Sequence, residues 1–338
     1  MKNRMIAAGF GLCLPMVAIP ASAQTLNDVQ GRGYVQCGVH TGLFGFAEIG
    51  DDGEWHGFDV DYCRAIASAI FNDADAVRFT PLNATERFTA LQSGEIDVLI
   101  RITTWTMTRD ASLGLIFAGV NYYDGQSFLV PTELELTDAA GLDGGTVCVQ
   151  TGTTTELNLA DYFNSRGLTF EAVAFAERAE AVSAFEAGRC DAFTADASNL
   201  YSTRMTMVDP DAYVVLDERI SKEPLGPAVR QDDIQWFNIV KWVHFALLNA
   251  EEFGITQANV AEMAESTNPE IMRLLGRDGT FGEMVGLSND WAYNVIANVG
   301  NYGEIFDRNI GAGSPLGIER GLNALWTDGG IHYAPPVR

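Results

Sequence analysis

Residues 88–97 read FTALQSGEID, and residues 182–191 read VSAFEAGRCD. Both place alanine, then leucine or phenylalanine, then glycine and aspartate at the same offsets. The first copy has Ala90-Leu91, Gly94 and Asp97; the second has Ala184-Phe185, Gly188 and Asp191. Each reads as a short helix stopped by a glycine, which takes the left-handed conformation past a helix end without steric cost. A strand follows in each, Ile96 to Arg101 and Cys190 to Ala195. A cysteine-bearing strand precedes each, Tyr34 to Val39 and Thr146 to Gln150. Two copies of a β-α-β-α-β arrangement imply an α/β protein of two similar lobes.

Working outward, the length of 338 residues agrees with two domains. The first unit is completed by helix 59–71, strand 77–81 and helix 85–93. In helix 59–71, Cys63, Ile66, Ile70 and Phe71 share one face. The extended stretch Tyr122 to Val130 leaves this lobe and Val214 to Arg230 returns, so two crossings serve as the hinge. The expected division is 24–127 plus 230–338 for the first lobe and 128–229 for the second. Helices are expected over 232–253, 258–275 and 289–308, the last packing its apolar positions against a lobe.

Met1 to Ala23 reads as an address. Lys2 and Arg4 lead an apolar stretch from Ile6 to Ile19, and Ala21-Ser22-Ala23 supplies the small-x-small cleavage pattern. Export changes the meaning of the cysteines. Cys37, Cys63, Cys148 and Cys190 remain after cleavage, and in an oxidising compartment an even set reads as disulfides. Four cysteines allow three pairings; Cys37–Cys63 with Cys148–Cys190 gives one staple per lobe. Lys+Arg is 21 against Asp+Glu 45, a net charge of −24. Such a surface repels phosphate backbones, which excludes nucleic acid as a partner. No metal-ligand spacing and no cofactor motif is present, so neither a metal nor a cofactor is expected.

Two places suit an anion. The run Thr103-Thr104-Trp105-Thr106-Met107-Thr108-Arg109 follows a strand end, where open α/β sheets bind ligands. Arginine grips a carboxylate through two parallel N–H···O bonds. The second is Gly152-Thr153-Thr154-Thr155-Glu156, again after a strand, with capping-box spacing and the free N–H groups of a helix start. Asp196 ends the strand after the second repeat and offers a counter-charge. Together these suit a zwitterion, its carboxylate on Arg109 and its ammonium on Asp196.

With these residues the chain resembles the periplasmic solute-binding proteins of family 3, which feed polar amino acids to ABC importers. The resemblance rests on an ordered set: Gly57-Phe58-Asp59-Val60-Asp61 with Ile66-Ala67, Arg87 to Asp97, Thr104-Trp105-Thr106 up to Arg109, Gly152-Thr153-Thr154, and Gly188 through Asp191 to Asp196. It covers roughly residues 33–253. The tail motifs Ser266-Thr267-Asn268-Pro269-Glu270 and Asn289-Asp290-Trp291-Ala292-Tyr293 are similar to those of the general L-amino-acid-binding branch.

The resemblance implies a two-lobed type II binding-protein fold, each lobe a mixed sheet flanked by helices. It implies a monomeric binding protein, not an enzyme, whose partners are L-amino acids and the transmembrane subunits of a permease. By resemblance Arg109, Thr104 and Thr154 hold the α-carboxylate, with Thr153 in the same loop. Asp196 and the Ile102 carbonyl take the ammonium. Phe46 from the first glycine loop covers the ligand, and Trp105 lines the pocket or packs. The alternative is a dehydratase-like enzyme on the same scaffold, with Glu86 or Glu48 as its acid or base.

Overall fold

The computed structural model describes residues 24–338; the expected address segment, with Cys13, lies outside them. Strand Val35–His40 pairs in parallel with Val77–Leu82 on one side and Val98–Leu99 on the other. Ala228–Arg230 and Leu115–Phe117 extend this sheet in antiparallel fashion. The second sheet repeats the plan. Thr146–Gln150 pairs in parallel with Glu171–Phe175 and Ala192–Asp196, and Gln126–Pro131 and Tyr213–Val215 add the antiparallel edge. Gln126 and Ser127, expected in the first lobe, therefore pair in the second sheet, opposite Asp196 and Ala195.

The repeat works through its aspartate. Asp97 Oδ2 accepts the Gln36 amide at 2.7 Å while the Asp97 amide donates to the Gln36 carbonyl at 2.9 Å. Asp191 makes the same pair of bonds with Thr146, at 2.7 and 2.9 Å. Each aspartate thus pins the incoming strand to the cysteine-bearing strand. Gly94 and Gly188 end their helices at φ 79° and 72°. The cysteines pair Cys37–Cys63 and Cys148–Cys190, closing 26- and 42-residue separations. Loops of this length lend roughly 3–4 kcal/mol each.

The crossings meet as a two-stranded ribbon, Tyr122–Asp124 against Glu223–Leu225. The tail clasps it: the Tyr123 amide donates to Asn323 Oδ1 at 2.7 Å, and Asn323 Nδ2 returns a bond to the Tyr123 carbonyl at 3.1 Å.

Helix Phe58–Phe71 is buried nearly all round, where one apolar face was expected. The reason is the tail helix Trp291–Val299, which packs on it and brings Val295 and Ile296 into the first lobe's core. Helix Ile234–Glu252 matches its expected span, but the next two expected helices are each broken. The first becomes Val260–Met263 and Pro269–Leu274, because Pro269 restricts Asn268 to extended backbone and Asn268 then caps the new helix. The other becomes Trp291–Val299 and Tyr302–Asn309, separated by Gly300 at φ 92° and by a capping box of Asn301 with Glu304. Among the described residues no helix is long and apolar enough to cross a membrane.

Candidate functional site

The C-terminal ends of strands from both sheets face one cleft. His40 ends the first strand, Ile102 and Thr104 follow Val98–Leu99, Thr153 and Thr154 follow Thr146–Gln150, and Asp196 ends Ala192–Asp196; all line the cleft. The strand Val98–Leu99 is shorter than the expected Ile96 to Arg101, though Asp97 and Ile100 still bond the neighbouring strand, and the chain then turns at Ile102. That β-branched residue sits at φ 36°, in the left-handed region, with its amide donating to buried Asp59 Oδ2 at 3.1 Å. Burial pushes the Asp59 carboxyl up to about 7.

The threonines meet on a group that the sequence did not reveal. Thr104 Oγ1 and Thr154 Oγ1 both donate to Glu223 Oε2, at 2.6 and 2.9 Å, and lie 3.2 Å apart. Ser221 and Asn158 donate to the other oxygen at 2.6 and 2.7 Å. Glu223 belongs to the ribbon and is 1% exposed, so one carboxylate gathers hydroxyls from both lobes. A second link between the lobes runs from Asn83 Nδ2 to Glu177 Oε1 at 2.8 Å. Thr153 caps its helix by accepting the Glu156 amide, and its hydroxyl donates to the Gln150 carbonyl.

Arg109 is buried beside the cleft rather than in its lining. It lies in helix Met107–Ser112, which Thr106 caps. Its Nη1 donates to the Thr104 carbonyl at 2.8 Å, and its guanidinium stands 5.1 Å from the Phe88 ring centre. Burial lowers its pKa, while Asp196 and Glu223 oppose that shift. Asp196 is 8% exposed and its Oδ1 has no protein hydrogen-bond partner. Burial raises its pKa well above the usual carboxylate value, aided by Glu223 and Asp124 and opposed by Arg109 and Arg87.

Besides Arg109, four residues named from the sequence lie outside the lining. Phe46 is a core residue, edge-on to Phe58 and Tyr122 at 6.1 and 5.8 Å, and covers no cleft. It turns inward because Gly57, at φ 130°, lets the chains touch; a Cβ there would fall 2.2 Å from the Phe46 carbonyl oxygen. Trp105 stacks on Phe117 at 5.6 Å and its amide bonds the Pro224 carbonyl, so it packs and does not line the cleft. Glu86 is exposed and Glu48 accepts the Gly45 amide on the outer hairpin; neither reaches the cleft.

The cleft also holds basic groups that sequence reading missed: His40, Arg87, Arg101 and Arg178. Signals existed. Arg87 and Arg178 each open a helix, where the macrodipole disfavours a cation. Arg101 interrupts an apolar strand.

The profile of the bacterial extracellular solute-binding proteins, family 3, matches residues 35–242. The chain is 60% identical, over the whole of both sequences, to the general L-amino acid-binding periplasmic protein AapJ of Rhizobium johnstonii. It is 53% identical to the glutamate/glutamine/aspartate/asparagine-binding protein BztA of Rhodobacter capsulatus, covering 96% of each. A solved ABC transporter/periplasmic binding protein from Brucella ovis, with glutathione bound, is 59% identical. It superposes with a TM-score of 0.92 over 94% of this chain and 100% of that one. The ordered cleft, the doubled sheets and these likenesses agree: the chain belongs to the bacterial extracellular solute-binding proteins, family 3.

Proposed function

We propose that this protein binds a broad range of L-α-amino acids between its lobes and delivers them to the membrane permease of an ABC importer. It is a solute-binding protein and not an enzyme. The observation that carries the reading is a set of buried polar atoms of both signs on one cleft. His40 Nε2, Arg87 Nε and Arg101 Nη2 lack protein partners, and so does Asp196 Oδ1. A zwitterion supplies what both kinds need. Buried polar groups without partners are costly, so a ligand that satisfies them binds with that cost returned.

The resemblance supplies the roles. Arg109, which stands behind the lining on the Thr104 carbonyl, takes the α-carboxylate with the hydroxyls of Thr104 and Thr154 once these turn from Glu223; Asp196 and the Ile102 carbonyl take the ammonium; Thr153 holds its loop. Each hydrogen bond to a charged group contributes about 1.5–3 kcal/mol. Four or five such bonds support a Kd of roughly μM to nM. The lobes divide at the ribbon, 24–125 with 226–338 against the segment between, and close on a ligand that touches both. We place the mature monomer in the periplasm after cleavage behind residue 23, with the relatives' amino-acid ligands in support of the solute class.

Calorimetric titration of refolded mature protein with a panel of L-amino acids tests this. Several polar and apolar amino acids bind, and Arg109→Ala abolishes binding with the circular dichroism unchanged. Asp196→Asn weakens amino acids by tenfold or more while barely altering the 2-oxo acid analogues, which lack the amino group. Equal losses for both would remove Asp196 from the ammonium site. Folded protein that binds no amino acid would discard the reading.

A further inference from the structure

A cavity of about 660 Å³ lies at the hinge and shares no lining residue with the cleft. Four pieces of chain wall it: the ribbon from Tyr122 to Asp124, the start of helix Ala197–Met205 in the second lobe, the crossing at Arg219 and Lys222, and the tail from Leu316 to Asn323. The tail is fixed to the first lobe, because Arg320 Nη2 pairs with Glu251 Oε1 at 3.0 Å. We propose that this cavity is a second binding site, for a short peptide held as a zwitterion. Its ammonium rests on Asp124 and Ser198, and its carboxylate on Tyr201, Arg219 and Lys222.

Two observations place the ammonium. Ser198 is 1% exposed, and its Oγ has no protein hydrogen-bond partner. Asp124 Oδ2 accepts the Ser198 amide at 3.2 Å and Oδ1 accepts the Gly125 amide at 2.8 Å, so each oxygen can accept once more. Among the described residues no ion pair includes Asp124. Burial raises its carboxyl, and an ammonium beside it favours the ionised form again. A buried hydroxyl and a buried carboxylate left without partners are both costly, and one ammonium with three N–H groups serves both. The crossing supplies the opposite sign. Arg219 Nη2 donates to the Tyr201 hydroxyl at 3.1 Å, which leaves the tyrosine's own hydrogen to give. Lys222 is exposed, and among the described residues neither it nor Arg219 is in an ion pair. Cationic donors and a free O–H suit a carboxylate. Size then chooses the zwitterion. The volume falls in the range of roughly 300–1,000 Å³ that takes drug-sized molecules. A single amino acid leaves most of it empty, whereas a short peptide fills more and sets its two charges apart.

The test is calorimetric titration of the refolded mature chain with tri-L-alanine, its N-acetyl form, its C-terminal amide, L-alanine and L-leucine. Tri-L-alanine binds, and blocking either end weakens it about tenfold or more, the scale of one charge-assisted bond. Asp124→Asn brings tri-L-alanine to the level of the acetylated peptide. Lys222→Gln, a change at an exposed position, lowers it several-fold and leaves L-leucine within about twofold. Arg109→Ala removes L-leucine and leaves tri-L-alanine within about twofold. A peptide lost in Arg109→Ala but kept in both hinge variants would belong to the cleft, overturning the hinge site and leaving the amino-acid reading standing. L-alanine as tight as tri-L-alanine in Arg109→Ala, or no binding of the peptide by folded chain, would also overturn the hinge site. Peptide binding without any L-leucine binding would overturn the cleft reading alone. Should Asp124→Asn fail to fold, Lys222→Gln and the two blocked peptides decide.

Discussion

His244 shows what a single buried group does to the pH response of the molecule. It is 2% exposed, and its Nδ1 lies 3.1 Å from the Tyr62 hydroxyl. Burial lowers its pKa from 6.5 to about 4. Between those values the unfolded chain binds the proton and the folded one does not. The neutral ring's contribution is therefore complete above about 6.5 and is lost as the pH falls toward 4. Shifts of this size correspond to about 3 kcal/mol. Asp59 acts with the opposite sign: its raised pKa makes the folded state less stable as the pH climbs from about 4 to 7. Urea unfolding of His244→Gln should show a shallower loss of stability between pH 6.5 and 4.5 than the wild type. An unchanged slope would place the acid sensitivity in other groups. At this scale the sequence was legible where chemistry is local. Asp196, Thr104 and Thr154 stand at strand ends, and their place could be read from neighbours. Phe46 could not, because its direction is set by Gly57, eleven positions on, whose missing Cβ lets the loop fold inward. Glu223 was missed because its partners, Thr104 and Thr154, are far away in the chain.

Among the elements, the ribbon of Tyr122–Asp124 with Glu223–Leu225 has the most to do with motion. It joins the lobes, and its Glu223 holds one hydroxyl from each. Each carboxylate oxygen accepts two bonds; an amide in its place offers one accepting oxygen instead of two, carries no charge to strengthen the bonds, and obliges the hydroxyls facing its NH2 to turn round and accept. Glu223→Gln should therefore shift protein freed of ligand toward separated lobes, with a larger radius of gyration in X-ray scattering. An identical radius would make Glu223 a feature of the ribbon alone. The elements were the most readable level of this chain. The repeat around Asp97 and Asp191 and the cysteine strands follow from short-range pattern, and the pairing of staples from assigning one pair to each lobe. The long helices expected over 258–275 and 289–308 failed at Asn268-Pro269 and Gly300-Asn301, where a local breaker outweighs apolar periodicity. Both breakers stood in the sequence, and periodicity was given too much weight against them.

The whole molecule sets charge against charge. Its net charge is −24, yet Arg87, Arg101, Arg109 and Arg178 are gathered in or beside one cleft. The acidic exterior acts over distances that salt screens, about 8 Å at physiological ionic strength, whereas buried groups are screened far less. Approach and retention therefore answer to different parts of the protein. On the proposed reading of the cleft, an anionic solute is slowed at long range by the surface and held at contact by buried basic groups. Stopped-flow mixing should show L-glutamate associating several-fold faster as salt rises from about 10 to 150 mM, with its departure rate almost unchanged. L-leucine, which carries no net charge, should be indifferent. Slower association of L-glutamate with salt would mean that the cleft's own field reaches past the surface. With the expected result, an acidic coat acts as a filter on arrival: it delays every anion, and only those that fit the cleft are kept for long enough to matter.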